Sequence, residues 1–72
     1  MITQDCIDRM LPVVADSWEQ LRGCDVYRLL SSIYYESLSG LYKAGDVVVA
    51  KRPDLAEAVG EAVRDIHAEM SQ

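Results

Sequence analysis

Apolar residues recur at three- and four-residue steps along the whole chain, and that period predicts helix throughout. In the first segment Cys6, Ile7, Met10, Leu11, Val14, Trp18 and Leu21 share one side of a helical projection. Thr3 or Asp5 is placed to cap its start. Pro12 interrupts the pattern from the polar side, among Asp5, Asp8, Asp16 and Glu19, and predicts a kink or a break. Gly23 stands where a C-capping glycine would end the segment. The first helix is therefore expected over about residues 4–22.

Asp25 is an N-capping residue type in front of Val26, Leu29, Leu30, Ile33, Tyr34, Leu38, Leu41 and Tyr42, which again repeat with helical period. Gly45 and Asp46 followed by three valines read as a stop and a short strand. The polar side decides otherwise, because Arg28, Ser32, Glu36, Ser39, Lys43, Asp46 and Ala50 form one unbroken row through the glycine. A second helix over about 26–51 is expected, with Gly40 and Gly45 each costing about 1 kcal/mol against alanine. The Lys51–Asp54 turn contains Pro53, which suits the first turn of a third helix over about 53–70. Its narrow apolar side carries Leu55, Val59, Ala62, Val63, Ile66 and Met70.

The expected fold is an all-α, small antiparallel domain of three helices, the first kinked or broken at Pro12 and the central one long. Tyr27, Tyr35 and Tyr42 widen the apolar arc of the second helix on one flank, and Leu29 and Val47 widen it on the other, to roughly 240°. Two flanking helices seldom enclose so broad an arc, so a homodimer is expected. Ser37, Gly40 and Ala44 form a row of small residues on the same helix, fit for close packing within the chain or across a dimer.

Length sharpens that expectation: 72 residues make one domain, and a core of this size rarely supplies more than roughly 3 to 5 kcal/mol. Disulfides offer no help. The N-terminus has no basic and apolar leader pattern, so the thiols of Cys6 and Cys24 are expected to stay reduced in a cytoplasmic chain and to act as buried filler. His67 has no second ligand at helical spacing, so no metal and no cofactor is expected. No apolar run reaches membrane-spanning length.

The charge balance is seven basic against twelve acidic residues, net −5. A basic footprint for phosphates is missing, which argues against direct nucleic-acid binding. The acids are patterned. Glu57, Glu61, Asp65 and Glu69 repeat every four residues without an interleaved base, although like charges at this spacing disfavour a helix by about 0.2 to 0.5 kcal/mol per pair. Such a row is either a solvated face paired with bases on neighbouring helices or a ridge offered to a basic groove, with carboxylates about 6 Å apart.

Catalysis finds little support, since one histidine and no Gly-rich elbow leave a nucleophile without its machinery. Glu36-Ser37-Leu38 resembles the Asp-Ser-Leu site at which acyl carrier proteins receive phosphopantetheine. That resemblance covers three residues. It implies a serine at the start of a helix after a Gly-containing loop, whereas the periodicity here puts Ser37 inside a helix, and no site residue is carried over. The function expected is a non-catalytic adaptor or inhibitor that docks on a larger protein, using Trp18, Tyr27, Tyr35 and Tyr42, residue types enriched at interface hot spots. The alternatives are an acidic nucleic-acid mimic that meets a basic partner through Glu57, Glu61, Asp65 and Glu69, and, from another class, a carrier protein or small helical enzyme.

Overall fold

A computed structural model describes residues 3–33 and 38–71. Among these residues there are four α-helices and no strand: α1 Gln4–Val14, α2 Gly23–Ser31, α3 Leu38–Lys51 and α4 Ala56–Met70. Two short 3-10 turns, Trp18–Gln20 and Pro53–Leu55, precede α2 and α4. The all-helical class expected from the period is what the chain adopts, with four helices in place of three.

The first helix stops short of residue 22. Thr3 caps α1 by accepting the Cys6 N–H at 3.3 Å. Pro12 lacks the N–H that would bond the Asp8 carbonyl, and α1 runs only two residues past it before Ala15 turns extended. The apolar stripe survives the change of backbone. Trp18 packs half-buried against the core from the 3-10 turn, and Leu21 is fully enclosed. Gly23 is the first residue of α2 and caps nothing. Asp25 lies inside that helix, where its carboxylate accepts the Arg22 N–H at 3.1 Å and so ties down the entry.

The single helix expected over 26–51 is two helices. α2 ends at Ser31, and α3 then continues through Gly45 to Lys51, so the valines form no strand. α4 is the centre of the packing, lying against both α2 and α3, while α1 closes the other side of α2. Val26, Leu29, Leu30, Leu41, Ala44, Val48 and Ile66 are fully enclosed in this one chain. The broad arc that asked for a second copy is thus divided between two helices and largely covered from within. Gly40 and Ala44 of the small-residue row are buried inside the chain, and Ser37 lies outside the described residues.

Arg52 fastens the α3–α4 turn to the link between α1 and α2. From the α3–α4 turn its guanidinium donates to the carbonyls of Trp18 and of Leu21, the latter at 3.0 Å, and grips both oxygens of Asp54 at 2.8 and 2.9 Å. Its planar fork serves four acceptors at once, which a lysine ammonium does not match. Asp54 is 59% exposed against 23% for Arg52, so the ion pair is screened and the bonds to the carbonyls carry more of the stabilisation. Arg52→Ala should lower the melting temperature most, Arg52→Lys less, and Asp54→Asn least. The Arg52 hydrogen bond holds the Asp54 carboxyl below its ordinary value. Its contribution is therefore present at neutral pH and is lost as acid drives the pH below the unfolded carboxylate range and through the lowered folded value. Melting curves across that range should show a flatter acid limb for Asp54→Asn than for wild type.

Candidate functional site

The outward face of α4 carries the acidic row. Glu57, Glu61, Asp65 and Glu69 are all exposed, because Val59, Ala62 and Ile66 point the opposite side of the helix into the core. Among the described residues, none of the four forms an ion pair with a base. The row is thus not neutralised by Arg9, Arg22, Arg28 or Lys43. One member has a partner: Glu69 accepts the Tyr27 hydroxyl at 2.5 Å, a bond between α4 and α2 across 42 positions of sequence.

The aromatic edge expected on one helix is dispersed. Tyr27 stands on α2, and Tyr42 stands on α3, where its ring meets His67 edge-on at 6.5 Å. Both are exposed, at 36% and 46%. Glu69 and His67 are two positions apart on α4 and so face nearly opposite ways, which puts the two tyrosines on opposite flanks of that helix. Tyr35 lies outside the described residues. Trp18 is removed from both. Its indole N–H donates to the Asp8 carboxylate at 3.2 Å, joining the 3-10 turn to α1.

Between the start of α2 and the acidic row lies a shallow cleft of about 130 Å³, lined by Gly23, Cys24, Tyr27, Ala58, Glu61, Ala62 and Asp65. α2 begins at this wall, so the positive end of its dipole stands beside two of the carboxylates and offsets part of their mutual repulsion. Periodicity on α4 alone does not reveal this, since the compensating helix end, Gly23, lies 38 and 42 positions before Glu61 and Asp65 in the chain.

Neither cysteine is the buried filler expected. Cys24 is exposed and lines the cleft, and Cys6 is half-buried. The Thr3 hydroxyl lies 3.5 Å from the Cys6 sulfur and Arg9 Nη2 lies 3.6 Å from it. The Thr3 bond, reinforced by Thr3 backbone and by Arg9, lowers the pKa of this thiol from its ordinary value. The signal was local: a threonine three residues before and an arginine three residues after a cysteine at a helix start. No group of three His, Cys, Asp or Glu side chains converges to hold a metal among the described residues. Nor is any helix among them long and apolar enough to cross a membrane. No protein-family model, curated protein sequence or solved structure matches the chain.

Proposed function

We propose that this protein is a non-catalytic protein-binding regulator, an adaptor or inhibitor that docks on the basic surface of a larger protein through the outward face of α4. The observation that supports it is the exposed row Glu57, Glu61, Asp65 and Glu69, which meets no base of its own chain among the described residues. A row that served only the fold would be expected to find countercharges on α1, α2 or α3. Tyr27, bonded to Glu69 at one end of the row, adds an aromatic contact beside the charges.

The test reverses Glu57, Glu61 and Asp65 to lysine and leaves Glu69 to Tyr27. The three replaced side chains are exposed, so the fold should persist by circular dichroism. Immobilised wild-type protein should retain a partner from extract of its source cells that the reversed protein does not. Retention should weaken with added salt, because exposed charges are screened over about 8 Å at physiological ionic strength. Equal retention by both proteins, indifferent to salt, sinks the reading. Duplex DNA added as competitor separates two kinds of basic surface: a partner released by DNA was held through its nucleic-acid groove, which is the mimic reading.

A carrier protein is a second reading with one observation in its favour. α2 ends at Ser31, so the single unbroken helix over 26–51 that spoke against Ser37 as a carrier site is not formed, and Ser37 itself lies outside the described residues. Incubation with coenzyme A and a phosphopantetheinyl transferase, followed by mass spectrometry, would show Ser37 modified; an unchanged mass removes this reading.

A further inference from the structure

Small residues open the cleft between α2 and α4. Gly23 places no side chain in it, and a Cβ built there would lie 3.6 Å from the Ala58 Cβ, an ordinary contact distance. Ala58 and the buried Ala62, one turn apart on α4, supply an apolar lining that ends at a methyl group on each residue. Glu61 and Asp65 line the same space and are exposed. Among the described residues neither forms an ion pair with a base. Tyr27 lines it from α2, with its hydroxyl held by Glu69.

Charge and size together decide what such a cleft accepts. The start of α2 presents roughly half a positive elementary charge, against two full carboxylates, so the space stays negative overall. Its volume of about 130 Å³ is well below the roughly 300 to 1,000 Å³ of small-molecule pockets, which leaves room for one side chain and not for a cofactor. We infer that the cleft receives an arginine side chain of the basic partner, with its guanidinium between Glu61 and Asp65 and its methylene stem over Ala58 and Ala62. Glu61 and Asp65 lie about 6 Å apart along the helix axis, and the planar fork of a guanidinium offers donors to both at once. A lysine ammonium is a compact, strongly hydrated point charge, which suits a part-apolar lining less well. Arginine also favours aromatic neighbours, and Tyr27 provides one. The inference rests on the docking reading and deepens it, by naming the side chain that anchors the partner.

Amide chemical shifts of the isotope-labelled chain, followed by NMR as N-acetyl-arginine amide is added, test this without the partner. The Gly23, Cys24, Ala58 and Ala62 signals should move and saturate. The citrulline counterpart keeps the shape and lacks the charge, so it should leave them in place, and the lysine counterpart should bind more weakly than arginine. Ala58→Leu fills the cleft and keeps every carboxylate. It should abolish the arginine shifts and reduce retention of the partner from cell extract. Should that variant fail to fold, Cys24→Trp closes the cleft from an exposed position and reads the same point. Arginine shifts that are absent, that citrulline matches, or that survive the filled cleft overturn the inference. Retention that falls when Glu57, Glu61 and Asp65 are reversed, but not when the cleft is filled, overturns it as well and leaves the docking reading standing. Undiminished retention by the reversed protein removes the docking reading itself, and the arginine anchor with it.

Discussion

Leu30→Ala is expected to destabilise the fold by about 2 to 5 kcal/mol, the usual range for truncating a buried leucine. Leu30 is 0% exposed in α2, the helix packed between α1 and α4, so the surrounding elements are held from both sides and collapse poorly around the space. The loss matches roughly the 3 to 5 kcal/mol that a core of this size supplies. Urea unfolding followed by far-UV circular dichroism, at one fixed chain concentration, should show the variant with little or no folded baseline. Ile33→Ala, at a position 4% exposed, belongs to the same class. Val13→Ala is the control, because Val13 is 61% exposed and surface changes of this kind usually stay within about 0.5 kcal/mol. A Leu30→Ala midpoint equal to that of wild type would mean that α2 is not central to the core.

Helical class, the α4 stripe and the passage of α3 through Gly45 were legible in the sequence because each is a statement of period. Side chains at steps of three and four share a face whatever they pack against. Pro12 announced the break after α1, but the extent of that break and the whole of the break between α2 and α3 were hidden for the same reason. Trp18 and Leu21 stay in phase with α1 although the backbone between them and Val14 is extended and then 3-10, since their side chains still reach the core. Ser31 and Ser32 carry no stop signal, so the pattern of α2 runs on into that of α3.

The site divides along the same line. Exposure of Glu57, Glu61, Asp65 and Glu69 follows from spacing on one helix, and it was legible. The tyrosine edge required α2 and α3 to be one rod, and it dissolved when they were not. What replaced it, the Tyr27–Glu69 bond and the Tyr42–His67 contact, joins residues 42 and 25 positions apart. Such pairs depend on which helices become neighbours, a tertiary choice that local period does not encode.

Gly45→Leu is the second substitution expected to act strongly, and its cause is the close approach of α3 to α4. A Cβ at position 45 would lie 3.2 Å from Val59 Cγ1 and 3.4 Å from Val63 Cγ2. Val59 is only 6% exposed and has little room to retreat. A leucine there overpacks the seam, which typically costs about 1 to 3 kcal/mol and more where α3 has to lift from α4. Gly45→Ala sets two effects of similar size against each other: a gain of about 1 kcal/mol in helix propensity and a methyl group pressed on Val59. It should change stability by less than that gain. Gly60 isolates the first effect, because it is exposed in mid-α4 and a Cβ there meets nothing within 4 Å. Gly60→Ala should therefore raise stability by about 1 kcal/mol. Urea midpoints of the three variants should order as Gly60→Ala above Gly45→Ala, and Gly45→Ala well above Gly45→Leu. If Gly45→Ala gains as much as Gly60→Ala and Gly45→Leu unfolds at the wild-type midpoint, then contact at position 45 does not set the spacing of α3 and α4, and its glycine is dispensable.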